Sequence, residues 1–133
     1  MASAREKILI IDDDPFFLKV LTDVFQENGF EVCTASDGVE GVKAYLEHTP
    51  DVVISDLIMP RMGGVSTCME ISRLAGERKP IIILLTSMFK DPPHEHETPE
   101  MGASVHISKS TRPLDIVIIV EQLIDRKKFQ AAG

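Results

Sequence analysis

Five short apolar runs rich in β-branched residues punctuate the chain: KILII at 7–11, FEVCTA at 30–35, DVVIS at 51–55, PIIILLT at 80–86 and ASVHIS at 103–108. Three of them have unbroken apolar cores. A strand with one wet face alternates apolar and polar positions, so an unbroken core predicts a strand buried on both faces of a parallel sheet. Between the runs the apolar spacing becomes helical. Asp14 before Pro15 predicts an N-cap with proline at the first helical position. Phe17, Leu18, Leu21, Val24 and Phe25 then form one stripe, and Gly29 supplies the stop. Asp37 predicts the cap of a second helix running to about His48, with Val39, Val42 and Leu46 facing inward. A third is expected over about Val65 to Ala75, ending at Gly76. The last is expected from about Pro113 to Lys128, with lysine and arginine in its final turn favouring the helix dipole.

Strand alternates with helix throughout, which predicts an α/β fold with a doubly wound parallel sheet. The length, 133 residues, suits one domain spanning 1–133 with a core that needs no disulfide or structural metal. One stretch breaks the pattern. MFKDPPHEHETPEMG at 88–102 places Pro92, Pro93 and Pro99 where the helix between the fourth and fifth strands belongs. An internal proline costs a helix about 3 kcal/mol or more, so that helix is expected to be shortened, displaced or absent, and 89–101 to be the least ordered part of the domain. His94 and His96 in it read as part of a solvated acidic loop rather than as metal ligands.

Charge narrows the partners. The formal net charge of −7 argues against direct nucleic-acid binding, which needs a basic patch. Cys33 and Cys68 fall in apolar-patterned segments and are expected as buried free thiols. No apolar h-region precedes the first strand, and no run approaches the roughly 18 residues of a membrane span. The expected compartment is the cytoplasm.

In an open α/β sheet, ligands bind beyond the carboxyl ends of the strands. The first run ends in Asp12-Asp13-Asp14, the third in Asp56, the fourth in Thr86-Ser87 and the fifth in Lys109. Carboxylates converging on one point repel each other and their pKa values rise unless a cation joins them. A hard, all-oxygen site that is only partly protein-made suits Mg²⁺, which keeps several waters. With a metal bound, such a site can accept a phosphoryl group, Lys109 adding a point charge and Thr86 a hydroxyl donor. A carboxylate can itself attack phosphorus. Asp14 alone reads as the helix cap.

The blocks KILIIDDDP, DVVISDLIMPRMGG, IIILLTS and GASVHISKSTRP resemble the signature segments of the response-regulator receiver (CheY-like) family of bacterial two-component signalling, over about Lys7 to Leu123. The resemblance implies five parallel strands in the order 2-1-3-4-5. It implies Asp56 as phosphoacceptor, Asp13 as a direct Mg²⁺ ligand assisted by Asp12, and a backbone carbonyl from Ile58 to the metal. Thr86 would hydrogen-bond the phosphoryl group and Lys109 would pair with it. It implies a phosphorylation-driven switch, not a conventional enzyme. Its donor would be a histidine kinase or histidine phosphotransfer protein, with a downstream protein partner and a phosphorylation-dependent homodimer as an open assembly.

Three features depart from the family pattern. Ser110 stands where a proline in a cis bond usually follows the lysine; without proline a cis bond costs about 3–4 kcal/mol, so the Lys109–Ser110 bond is expected to be trans. His106 stands where strand five usually carries an aromatic ring that moves on activation. The third departure is the proline-rich 88–102 stretch. KSTRP also resembles the KPxRP of receivers attached to hybrid kinases. Ile58 and Met88 occupy the positions that often influence the hydrolytic water. Neither can orient or deprotonate it, so a long-lived phosphorylated state is expected. Two other functions fit less well. A receiver-like binding module working without phosphate would be marked by loss of an acidic-pair residue, the acceptor or the lysine, and none is lost. A haloacid-dehalogenase phosphatase wants D-x-D-x-T or D-x-D-x-V, and Asp12-Asp13-Asp14-Pro15-Phe16 fails at the last position.

Overall fold

The computed structural model describes residues 6–59, 61–87 and 105–132. Among the described residues strand and helix alternate as the pattern predicts up to β4: β1 (Lys7–Ile11), α1 (Pro15–Glu27), β2 (Glu31–Ala35), α2 (Gly38–His48), β3 (Val52–Asp56), α3 (Gly64–Ala75), β4 (Ile81–Thr86), then β5 (Val105–Ser108) and α4 (Pro113–Ala132). The five strands form one parallel sheet in the order β2-β1-β3-β4-β5. The helix question at 88–102 falls outside the described residues, as do His94 and His96.

Each central strand divides its side chains between two cores. Ile8 and Ile10 of β1, Val52 and Ile54 of β3, and Ile83 and Leu85 of β4 face α1 and α4, where they meet Leu21, Phe25, Ile116, Val117 and Val120. Their neighbours Leu9, Ile11, Val53, Ile82 and Leu84 face α2 and α3, against Tyr45, Cys68 and Ile71. A fully buried Leu, Ile or Phe is worth about 1.5–3 kcal/mol, which is why unbroken apolar runs select this doubly covered arrangement. Phe25 and Phe30 add an edge-to-face ring pair at 5.0 Å.

The caps form as expected. Asp14 accepts the Phe16 N–H at 3.0 Å, and Asp37 accepts that of Glu40 at 2.9 Å. Gly29, at φ 89°, follows α1 and donates its N–H to the carbonyl of Gln26. Three details differ from the expectation. On α2, Val39 and Leu46 are exposed, and the buried positions are Gly38, Gly41 and Tyr45. The helix lies too close to its neighbours for bulk there: a Cβ on Gly41 would press on Ile11, and one on Gly38 would collide with Met62 and Thr67. The final helix continues past Lys128 to Ala132, so its basic cluster lies short of the last turn. Cys68 is buried, with its thiol pushed up to about 12 by that burial, but Cys33 on edge strand β2 is only half-buried. Both cysteines are free. Among the described residues, no helix is long and apolar enough to cross a membrane.

Candidate functional site

The sheet register sets out one edge. Asp56 closes β3 opposite Leu85, and Thr86 lies one residue further along β4, opposite Ser108 of β5. Asp12 follows β1 directly and donates its N–H to the carbonyl of Ala35 at 3.1 Å. Lys109 follows β5 and donates its N–H to the Thr86 carbonyl at 2.8 Å. β1 and β5 are therefore each extended by one backbone bond at the point where they deliver Asp12 and Lys109.

Ligand oxygens of Asp12, Asp13 and Asp56 lie within 4.8 Å of one another. Asp12 is 1% exposed and Asp56 7%, whereas Asp13 is exposed to solvent. Lys109 reaches into this group. Its Nζ stands 2.9 Å from Oδ2 of Asp12 and 3.3 Å from Oδ2 of Asp56. The same ammonium lies 4.6 Å from the centroid of the Phe17 ring, a cation–π contact that orients it from α1. Oδ1 of Asp12 accepts the Asp14 N–H at 2.9 Å.

Burial raises the pKa of the Asp12 carboxyl, and the Asp14 N–H and Lys109 offset that only in part. Burial likewise opposes the charge on Lys109, but Asp12 and Asp56 outweigh it and hold the ammonium pKa above the usual lysine value. Oδ2 of Asp12 is buried, with the Lys109 ammonium 2.9 Å away. A buried anionic oxygen of this kind is costly unless something completes its shell. Three carboxylates face one ammonium, so the pocket also carries an excess of negative charge. Both observations fit a hard cation, and the acidic triad is able to bind a metal.

Of the residues selected from sequence, Asp12, Asp13, Asp56 and Lys109 come together, with Thr86 on the same edge. Ile58 lies two residues past Asp56 with its side chain 59% exposed. His106 is exposed on β5, and Met88 lies outside the described residues. The Lys109–Ser110 bond is trans, as expected. Ser110 holds the turn with its hydroxyl, 2.6 Å from that of Ser108, and with its N–H, which donates to the same oxygen at 3.1 Å. Sequence reasoning placed Phe17 only in the core and did not foresee its place under Lys109. An aromatic residue early in α1 is a signal for such a contact only once the fold sets α1 on the face of the sheet that β5 also lines.

A five-stranded parallel sheet with an acidic cluster and a lysine at one edge defines a doubly wound α/β domain with its polar site at the carboxyl ends of the strands. The response regulator receiver domain family matches residues 8–121, and the chain belongs to that family. Receiver domains are the regulatory phosphoacceptor switches of two-component signalling rather than classical enzymes, and residues 8–121 form such a domain. The chain is 30% identical over 132 residues to the DNA-binding response regulator MtrA of Mycolicibacterium smegmatis, covering 99% of this chain and 56% of that protein. The chain thus spans about half the length of that relative. Among solved structures it is similar to the chemotaxis protein CheY4 of Vibrio cholerae, with a TM-score of 0.80 and 27% identity over 90% of this chain and 98% of that one. It is also similar to the CheX–CheY–BeF3–Mg²⁺ complex of Borrelia burgdorferi, with a TM-score of 0.76 and 26% identity over 90% of this chain and 89% of that one.

Proposed function

We propose that this domain takes a phosphoryl group onto Asp56 in a Mg²⁺-dependent reaction and relays the event by a change of shape. The donor is a histidine kinase or histidine phosphotransfer protein, and a downstream protein reads the result. Asp12, Asp13, Asp56 and the backbone carbonyl of Ile58 would hold the metal. Mg²⁺, when bound, neutralises charge on the transferring phosphoryl oxygens.

The protein's own groups then have distinct tasks. A carboxylate oxygen of Asp56 forms the new bond to phosphorus as the donor's P–N or P–O bond breaks, and the leaving group takes that electron pair. Lys109 is already 3.3 Å from Asp56, within reach of an oxygen on the incoming group. Thr86, at the end of the adjacent strand, offers its hydroxyl to another phosphoryl oxygen. A positive charge already held at this edge stabilises negative charge on the transferring group.

The observation that carries this reading is the position of Asp56. It is a nearly buried carboxylate with oxygens of two others within 4.8 Å and the Lys109 ammonium 3.3 Å away. Similarity to a CheY described in complex with BeF3 and Mg²⁺ supports the choice of metal. Incubation with Mg²⁺ and acetyl phosphate, followed by intact mass, tests it. One phosphoryl group should be added, and Asp56→Asn should abolish the gain. Undiminished labelling of Asp56→Asn would overturn the assignment.

A further inference from the structure

Between β3 and α3, the described residues 57–59 and 61–63 are tied down next to both elements. Leu57 donates its N–H to the carbonyl of Leu85 at 2.8 Å, and Gly64 donates to that of Leu57 at 2.9 Å. A Cβ on Gly64 would collide with the carbonyl of Asp56, so α3 begins directly against the acidic pocket's backbone. Arg61 stands between these anchors at φ 69°. That left-handed conformation costs a non-glycine residue about 1–3 kcal/mol, and glycine would adopt it freely.

What the side chain of Arg61 supplies is a bond to α2. Its guanidinium pairs with Oδ2 of Asp37. The arginine side chain is 68% exposed but that of Asp37 only 2%. Oδ1 of the same carboxylate accepts the Glu40 N–H at 2.9 Å and caps α2. One buried carboxylate thus holds both the helix and the loop. Capping alone does not explain the charge, because asparagine caps a helix as well as aspartate. The Glu40 N–H, reinforced by Arg61, holds the Asp37 carboxyl below the usual aspartate range, so the pair is ionised at neutral pH. The next residue tightens the joint: a Cβ on Gly38 would collide with the Met62 carbonyl and with Thr67 Oγ1. That hydroxyl donates to the Gly63 carbonyl at 2.8 Å.

We propose that Arg61 is a positioning residue: its bond to Asp37 fixes the chain between β3 and α3 to α2 at Arg61 and thereby sets the affinity of the acidic pocket for Mg²⁺. The inference rests on the reading of that pocket as a Mg²⁺ site with Ile58 contributing its carbonyl. Mg²⁺ demands near-octahedral geometry at about 2.0–2.1 Å. A loop left free at its middle must be ordered when the ion binds, and that ordering weakens the apparent affinity.

Magnesium titrations followed by NMR, paired with metal-free thermal unfolding, test the proposal. Arg61→Ala and Asp37→Asn should each weaken Mg²⁺ binding about 3- to 10-fold, at or below the 10–100-fold typical of a group bonded directly to a ligand. The double variant should be no weaker than the worse single one, because both remove the same joint. Arg61→Lys should restore most of the affinity. Val120→Ala, a cavity in the opposite core, should lower the melting temperature but leave the Mg²⁺ affinity unchanged. Wild-type affinity in Arg61→Ala, or independent effects in the double variant, would overturn the proposal. Wild-type protein that binds no Mg²⁺ would instead remove the metal reading, and this inference with it.

Discussion

Lys109 approaches Asp12 at 2.9 Å, more closely than it approaches Asp56 at 3.3 Å. In the metal-free domain the lysine therefore acts first as counter-ion to the most deeply buried carboxylate of the pocket. A cation bound among the carboxylates would take over that task and leave the ammonium for the phosphoryl group. Lys109→Met should accordingly destabilise the metal-free domain by about 2–3 kcal/mol. That is below the 3–5 kcal/mol of a broken buried pair, because Asp12 can take up a proton. The same substitution should tighten Mg²⁺ binding, since a competing positive charge is gone, and should slow phosphorylation. Denaturant unfolding and a metal titration check both parts. A variant that binds Mg²⁺ more weakly than wild type would contradict this division of labour.

The pocket also fixes a pH dependence. The Asp12 pKa is raised in the folded domain, chiefly by burial. Between its ordinary value and the raised one, the native state binds more protons than the unfolded chain, so this group makes stability fall as pH rises. Asp37 has the opposite sign: its depressed pKa gives stability at neutral pH that is lost on acidification. Asp12→Asn removes the first contribution alone. The metal-free variant should gain on wild type as pH rises through the ordinary aspartate range, about 4, and the gain should level off above the raised pKa. Urea midpoints across that range measure it. A difference that stays constant with pH would show that Asp12 is not the source.

Asp13 should behave differently, because it is exposed. Water screens its charge, so Asp13→Ala should change metal-free stability by no more than about 0.5 kcal/mol. Mg²⁺ binding should still weaken by about tenfold or more, since a proposed first ligand is lost. Calorimetric titration of wild type and variant decides the point. Equal affinities would remove Asp13 from the ligand set.

The sheet was legible in the sequence because both of its faces are dry. Ile8 to Ile11 and Ile81 to Leu85 could belong only to strands covered twice, and the residues that end such strands must share one edge. The pose of α2 was not legible from large apolar residues. Val39 and Leu46 advertise a stripe, yet Gly38 and Gly41, three apart, mark the face that approaches its neighbours most closely. The Arg61–Asp37 pair joins residues 24 apart, and the bond from Lys109 to Asp56 joins residues 53 apart. Neither has a local signature. The resemblance supplied a lysine for the phosphoryl group but not its partnership with Asp12, which follows from burial and only the folded chain displays.

The lifetime of the phosphorylated state should depend on Ile58. Hydrolysis of an aspartyl phosphate needs a water held in line with the bond to be broken. Ile58 lies two residues beyond Asp56, and its side chain is 59% exposed rather than folded into either core. An apolar side chain there can cover the phosphoryl group but can neither orient a water nor accept its proton. Ile58→Asn supplies a polar group that can orient one, and the phosphoryl state should then decay faster. The gain should be about tenfold at most, equivalent to about 1.4 kcal/mol in the barrier. Phosphorylation itself should proceed at the wild-type rate, because the donor's path to Asp56 is unchanged, and folding should be unaffected by a change at so exposed a position. Following phosphate loss after removal of the donor measures the effect directly. Decay of Ile58→Asn at the wild-type rate would mean that this side chain merely rests over the loop and that the water is governed elsewhere.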